Sequence, residues 1–148
     1  MRLDSMEVKM KRMVYGKMIE HREVLYHGVV DGFECVIVNT RGSHPCAYIN
    51  IPKEVLDKYD NPKLDYDLWD ANCNGGFTYA GVEGPGVESD KKGFWLGWDY
   101  AHLNDYTCMM KSDGTILNPK PHAWEHMWTT EEVLGQVVDA IASLTYLG

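Results

Sequence analysis

Short runs of apolar and β-branched residues in the first half of the chain predict a set of β-strands. Two such runs cover residues 23–30 and 33–38, and the pair Asp31-Gly32 separates them. Asp-Gly tolerates positive φ at both turn positions, so it is a strong local signal for a tight hairpin. A third strand is predicted over residues 46–51, where Pro52 ends it.

The second half of the chain contains two further strand-like runs, separated by segments rich in turn residues. One is predicted over residues 75–81, entered through Gly75-Gly76, and the other over the aromatic run 94–100. The remaining segments are predicted to be a short helix (residues 52–59) and loops (60–74, 83–93 and 101–128).

The pattern near the N-terminus fits two structures. Val8 and Met10 alternate with charged residues as in a strand, whereas Met6, Met10 and Met13 also have helical spacing. We favour a strand over residues 7–15. Residues 1–14 could equally be a loosely attached segment of the domain.

The clearest element is an amphipathic helix at the C-terminus. Thr129 and Glu132 have the spacing of a capping box. An apolar stripe at helical spacing follows, made of Val133, Leu134, Val137, Val138, Ile141 and Leu144. A helix with one apolar face needs a sheet to cover it, so we predict a single α+β domain over residues 1–148. In this fold, an antiparallel sheet carries the C-terminal helix on one face.

The length, apolar content and N-terminal charge of the chain limit the classes of protein to which it can belong. The chain has 148 residues, which suits one domain, and 45% of them are apolar. No apolar run has the roughly 20 residues of a membrane-spanning helix, and the charged N-terminus does not resemble a signal peptide. We therefore expect a cytoplasmic protein.

The net charge of the chain indicates which kinds of partner it is suited to bind. Fourteen basic residues against 22 acidic ones give −8. This disfavours general nucleic-acid binding and would suit a basic protein partner, although negative charge also simply keeps a small protein soluble. The four cysteines lack zinc-site spacing and an activating charged neighbour, so we expect four reduced thiols.

The best candidate site is the pattern Asp99-x-x-His102-x-x-Asp105, with His44 as a further member. It follows an aromatic strand and leads into a loop, where sites are common. Carboxylates and imidazole could bind a divalent metal or act as general acid and base. The alternative is a structural network in which the carboxylates accept backbone N–H groups and His102 bridges them. We predict no cofactor other than such a metal.

Aromatic side chains and glycines add candidate binding residues. Exposed rings could stack on a nucleobase, and the glycine pair could let a ligand approach the backbone. Trp98 and Tyr100 should share one face of their strand, with Trp95 on the other. The added candidates are Tyr48, Tyr79, Trp98, Gly75 and Gly76 for a ligand, and Arg22 and Arg41 for its phosphates.

His122 and His126 have the spacing of two metal ligands on one face of a helix, but the preceding prolines favour a loop or short turn.

Four segments together resemble a family of small, poorly characterised bacteriophage and prophage proteins. They contain His44-Pro45-Cys46-Ala47-Tyr48, Gly75-Gly76-Phe77-Thr78-Tyr79 and Gly97-Trp98-Asp99 followed by His102 and Asp105, after an N-terminal segment over residues 15–24. The family pattern has Gly where this chain has Ala47, and often His where it has Asn74.

The resemblance implies a phage origin and brings no established activity. Because phage accessory genes of this size often encode antagonists of host defence, we expect a protein that acts by binding a host defence component in the host cytoplasm. Its partner would be a host protein or a small nucleotide signal, and it could form homo-oligomers. The alternative is a small metal-dependent hydrolase or nucleotide-modifying enzyme that uses Asp99, His102 and Asp105. Of the two, we favour the binding protein over the enzyme.

Overall fold

The computed structural model describes residues 10–52, 54, 73–87 and 93–147. These contain five strands, β1 (Arg22–Val30), β2 (Phe33–Thr40), β3 (His44–Ile51), β4 (Tyr79–Gly81) and β5 (Phe94–Asp99), and a C-terminal helix, α1 (Thr130–Leu147). The predicted helix over residues 52–59 and the loop 60–74 lie almost entirely outside the described residues.

The strands form one antiparallel sheet in the order β1-β2-β3-β5-β4. The predicted hairpin between β1 and β2 is confirmed. Asp31 and Gly32 both have positive φ, 49° and 85°, and Val30 pairs with Phe33 across the turn. Both turn residues are left-handed, which matches the twist of the flanking strands.

The sheet has two distinct faces. The inner face packs against α1 and carries fully buried side chains, among them Ile37, Ala47, Ile49, Leu96 and Trp98. The outer face carries a smaller buried cluster of Val36, Val38, Cys46 and Trp95. Trp98 and Tyr100 share the inner face, where the Trp98 indole Nε1 donates to the Tyr100 hydroxyl at 2.9 Å. The predicted division of the aromatic residues between the two faces is therefore confirmed.

Helix α1 begins at the predicted capping box. The backbone N–H of Thr129 donates to Oε1 of Glu132 at 2.9 Å, and the backbone N–H of Glu132 donates to Oγ1 of Thr129 at 3.2 Å. Five of the six residues of the predicted apolar stripe are buried, with Val133, Val137 and Ile141 fully so, and Val138 is half-buried. The described residues therefore form the predicted α+β arrangement, a sheet covered on one face by the C-terminal helix.

The N-terminal prediction is wrong for the described part of the segment. Residues 10–15 form no strand, and Lys11 makes a single backbone hydrogen bond, from its N–H to the carbonyl of Leu25 at 2.8 Å. The Lys11 carbonyl accepts from Thr130 Oγ1, and the Val14 carbonyl accepts from the Asn39 amide. Met13 is buried in the core. This part of the chain is firmly attached through separate contacts rather than through a strand ladder.

Strand β4 is shorter than predicted, at three residues. Gly75 and Gly76 have φ of 74° and 73°, which turns the chain instead of extending it. The segment 101–128 forms loops as predicted, including a turn in which the Glu125 N–H donates to the His122 carbonyl. None of the helices that the structure describes is long and apolar enough to cross a membrane.

Candidate functional site

The loop after β5 is organised around the buried carboxylate of Asp105. Its Oδ2 accepts from the Asn74 amide at 2.7 Å and from the backbone N–H of His102 at 3.0 Å. Its Oδ1 accepts from the indole of Trp128 at 2.8 Å. Burial of a carboxylate is tolerated when its oxygens are hydrogen-bonded in this way. Asp105 therefore ties three separate segments together.

Asn74 extends this network to α1 and was missed as a site residue by sequence reasoning. Its backbone N–H donates to Oε1 of Gln136 at 3.1 Å, and the same oxygen accepts from the Tyr100 hydroxyl at 2.6 Å. The position immediately before the glycine pair was the available signal, noted above as a departure from the family pattern. We call Asn74, Asp105, Trp128 and Gln136 the β5-end network.

His102 and Gly75 lie in direct contact beside this network. A Cβ on Gly75 would lie 2.7 Å from Nε2 of His102, so only glycine leaves room for the ring. His102 Nδ1 lies 3.4 Å from Asp105 Oδ2 and 3.8 Å from Asp99 Oδ1. The structure thus brings His102 close to Asp99 and Asp105, and it places Gly75, which the sequence had not linked to them, against the His102 ring.

These contacts favour a structural network over a metal centre. Both Asp105 oxygens already accept from protein donors, and Asp99 Oδ1 accepts from the backbone N–H of Ala101 at 3.2 Å. Within the described part of the chain, no group of three or more His, Cys, Asp or Glu residues is arranged to hold a metal ion. His126, one of the two spaced histidines, instead contacts Glu132 at 2.7 Å.

A second set of candidate site residues lies on the outer face of the sheet, in three rows that run across the strands. Residues directly opposite each other on antiparallel strands project from the same face. The first row is Arg22, Thr40 and His44, the second includes Cys46 and Asp99, and the third includes Tyr48, Gly97 and Tyr79. His44, Asp99, Tyr48 and Tyr79 therefore share one surface, whereas the predicted ligand residue Trp98 lies on the inner face and is buried.

The first row opens into a pocket of about 640 Å³. Four of its lining side chains are arginine or histidine, namely His21, Arg22, Arg41 and His44. The remaining lining residues are Thr40, Ser43, Cys108, Met109 and Met110. We call this the basic pocket. Sequence reasoning identified Arg22, Arg41 and His44 but missed their chain neighbours His21, Thr40 and Ser43. It also missed Cys108, Met109 and Met110, which come from a loop far away in the chain.

The two arginines of the basic pocket make no salt bridge with any described carboxylate within 4.0 Å. Arg41 has a left-handed backbone, with φ of 56°, and its N–H donates to the His21 carbonyl at 3.0 Å. Arg41 and Gly42, with φ of 56° and 73°, are the central residues of the tight turn between β2 and β3, in which the Ser43 N–H donates to the Thr40 carbonyl at 2.9 Å. The hairpin turn itself requires this conformation. Arg22 extends across the outer face, and its guanidinium carbon lies 5.8 Å from the centroid of the Tyr48 ring.

The electrostatics of the basic pocket are set by burial and by neighbouring carboxylates. Burial lowers the pKa of His44 below its usual value, and the charges of Asp99 and Asp105 oppose this shift only in part. Burial also raises the pKa of Cys46 to about 11. At neutral pH the permanent positive charge of the pocket is therefore that of Arg22 and Arg41, and Cys46 on the same face is a neutral thiol.

No protein family model, curated protein or solved structure matches this chain. The resemblance to phage and prophage proteins stays a prediction.

Proposed function

We propose that this protein acts by binding, and that its ligand is a small phosphate-bearing anion held in the basic pocket. One observation carries the proposal. In a chain with a net charge of −8, Arg22, Arg41, His21 and His44 converge on a single concave site. Guanidinium groups match phosphate oxygens in a two-pronged geometry and are the preferred phosphate ligands at such sites.

The size of the pocket supports a small ligand. Pockets for small molecules and cofactors usually enclose about 300–1,000 Å³, and this one has about 640 Å³. The acidic charge of the whole chain repels long polyanions, but at short range the local pair of arginines dominates because exposed charges are screened within about 10 Å. A small anion therefore fits the site better than a nucleic-acid strand does.

Binding, rather than catalysis, also fits the groups around the pocket. Cys46 is a protonated thiol at neutral pH, and the carboxylate of Asp105 is engaged in holding the loop together. Neither is prepared to act as a nucleophile or base. Metal-dependent hydrolysis by Asp99, His102 and Asp105 is the less favoured alternative.

The biological role that we propose follows from the resemblance to phage proteins. A phage accessory protein that captures a small nucleotide signal in the host cytoplasm would silence a defence that depends on that signal. Capture of this kind needs affinity and no turnover, and a preformed pocket with two arginines is suited to it.

The first test is titration calorimetry with tripolyphosphate at an ionic strength of about 0.1 M, where the screening length is about 10 Å. We expect binding to the native protein and a loss of roughly tenfold or more in affinity for each of Arg22→Gln and Arg41→Gln, because each removes a charge-assisted contact of about 1.5–3 kcal/mol. Lys120→Gln, at an exposed position outside the pocket, is the matched control and should bind normally. Absence of binding, or equal losses in all three variants, would overturn the proposal and leave a protein partner as the working hypothesis.

A further inference from the structure

The three rows of the outer face present different chemistry in a fixed order. Arg22, Thr40 and His44 occupy the first row beside the basic pocket, the Asp99 carboxylate lies in the second, and the Tyr48 and Tyr79 rings lie in the third. We propose that the ligand is a nucleotide that lies along this face, with phosphates in the basic pocket, ribose hydroxyls beside Asp99 and the base against the tyrosines. This inference rests on the proposed function and specifies the class of ligand.

The spacing of the rows requires an elongated ligand. His44 and Tyr48 are four residues apart on β3, which corresponds to about 13 Å at 3.3 Å per residue. A phosphate group alone cannot contact both ends of this face. A molecule with an anionic end, a hydroxyl-bearing centre and an aromatic end can, and a nucleotide has these parts in this order.

The two tyrosines form an aromatic platform at the far end. Their ring centroids are 6.0 Å apart and their planes are nearly perpendicular, at 77°. Tyr79 keeps 36% of its surface exposed, and its hydroxyl is fixed by donation to the Glu83 carbonyl at 2.6 Å. A ring held in one orientation with an open side is a suitable stacking surface for a base.

Gly97 makes this platform possible. It lies between the tyrosines in the sheet, pairing with Tyr48 on β3 and Tyr79 on β4. A Cβ on Gly97 would lie 2.7 Å from Cδ1 of Tyr48, so any larger residue would push the ring away. The glycine lets the Tyr48 ring lie over the strand.

Arg22 and Asp99 connect the platform to the basic pocket. Arg22 lines the pocket, and its guanidinium carbon lies 5.8 Å from the centroid of the Tyr48 ring, so its side chain extends from the pocket towards the tyrosines. The Asp99 side chain is 41% exposed, and its Oδ2 accepts no hydrogen bond from the described residues. A carboxylate oxygen open to the ligand is an acceptor for ribose hydroxyls, the role that acidic residues have in dinucleotide sites.

The experiment compares ATP and GTP with tripolyphosphate by titration calorimetry. We expect both nucleotides to bind roughly five- to 100-fold more tightly than tripolyphosphate, because stacking of the base on an aromatic ring adds to the phosphate contacts. Tyr79→Leu should reduce nucleotide affinity by a similar factor and leave tripolyphosphate unaffected. Trp124→Leu is the matched control, because Trp124 is 61% exposed but lies outside the outer face.

The proposed contact between Asp99 and the ribose is tested by a second comparison, between ATP and an analogue that lacks the ribose hydroxyls. Asp99→Asn should reduce the preference for ATP over its 2′,3′-dideoxy analogue, because the amide is a weaker acceptor than the carboxylate. Equal affinities for nucleotides and tripolyphosphate, unchanged in Tyr79→Leu, would overturn the nucleotide inference while the anion pocket stands. Failure of all of these ligands to bind would overturn the proposed function and the inference with it.

Discussion

The indole Nε1 of Trp128 donates a hydrogen bond to Oδ1 of Asp105, and the two atoms are 2.8 Å apart. Asp105 is buried, and its other oxygen accepts from Asn74 and from the His102 backbone. One carboxylate therefore joins the segment before β4, the loop after β5 and the segment before α1. Asp105, one of the three residues of the predicted Asp99-x-x-His102-x-x-Asp105 site, therefore holds this end of the domain together through its contacts.

Asp105→Ala should destabilise the fold severely. Three donors would lose their acceptor, and each donor left unsatisfied costs about 1–3 kcal/mol. We expect the free energy of unfolding to fall by roughly 3–5 kcal/mol, measured by urea denaturation. His102→Ala is the comparison, because its side chain is 41% exposed, and it should change stability by less than about 1 kcal/mol. Similar stability of the two variants would show that Asp105 is not structural.

Gly135→Ala should stabilise the protein. Gly135 lies within α1 on its exposed side, and a Cβ there would meet nothing within 4 Å. Alanine is favoured over glycine in a helix interior by about 1 kcal/mol, because glycine loses more backbone entropy on folding. A melting temperature that does not rise would mean that this part of the helix contributes little to global unfolding.

The elements that were predictable are those with local signals. The capping box at Thr129, the stripe after it and the Asp31-Gly32 turn depend on neighbours within a few residues, and all three formed as predicted. Strand positions followed from composition, but β4 was overestimated because the glycine pair bends the chain where extension was expected.

The candidate site was only partly predictable, because its members meet through pairing across the sheet. No spacing in the sequence reveals that Arg22, Thr40 and His44 lie in one row, or that Met109 and Met110 complete the same pocket. Nor does a strand pattern show that both tryptophans of β5, Trp95 and Trp98, are buried. Trp98 was a candidate ligand residue, and the packing of α1 on the inner face places it in the core.

The cysteines should resist alkylation in the folded protein. Burial raises the pKa of Cys46 to about 11 and that of Cys35 and Cys73 to about 12, so almost no thiolate is present at pH 8. We expect iodoacetamide to modify these three residues slowly in the native state and rapidly in urea, as read by mass spectrometry of peptides. Rapid modification of Cys46 in the native protein would contradict a pKa raised by burial and would indicate an activated thiol on the outer face.

Acidification should weaken the fold through His44. Burial is the main cause of its lowered pKa, while Asp99 and Asp105 act in the opposite direction. The unfolded chain therefore binds a proton at His44 more readily than the folded protein does. The contribution of His44 to stability is complete above the ordinary histidine pKa of about 6.5 and is lost as pH falls below it towards the lower folded-state value.

The measurement is urea denaturation of the native protein and His44→Gln at pH 7.5 and pH 5.5. Other histidines titrate in the same range, so the informative quantity is the difference between the two proteins. Glutamine cannot take up a proton, and its side chain can still hydrogen-bond to Ser43, whose hydroxyl lies 3.1 Å from His44 Nδ1. We expect the native protein to lose more stability than the variant between the two pH values. An equal loss would mean that His44 is as easily protonated in the folded state as in the unfolded chain, and that burial does not lower its pKa.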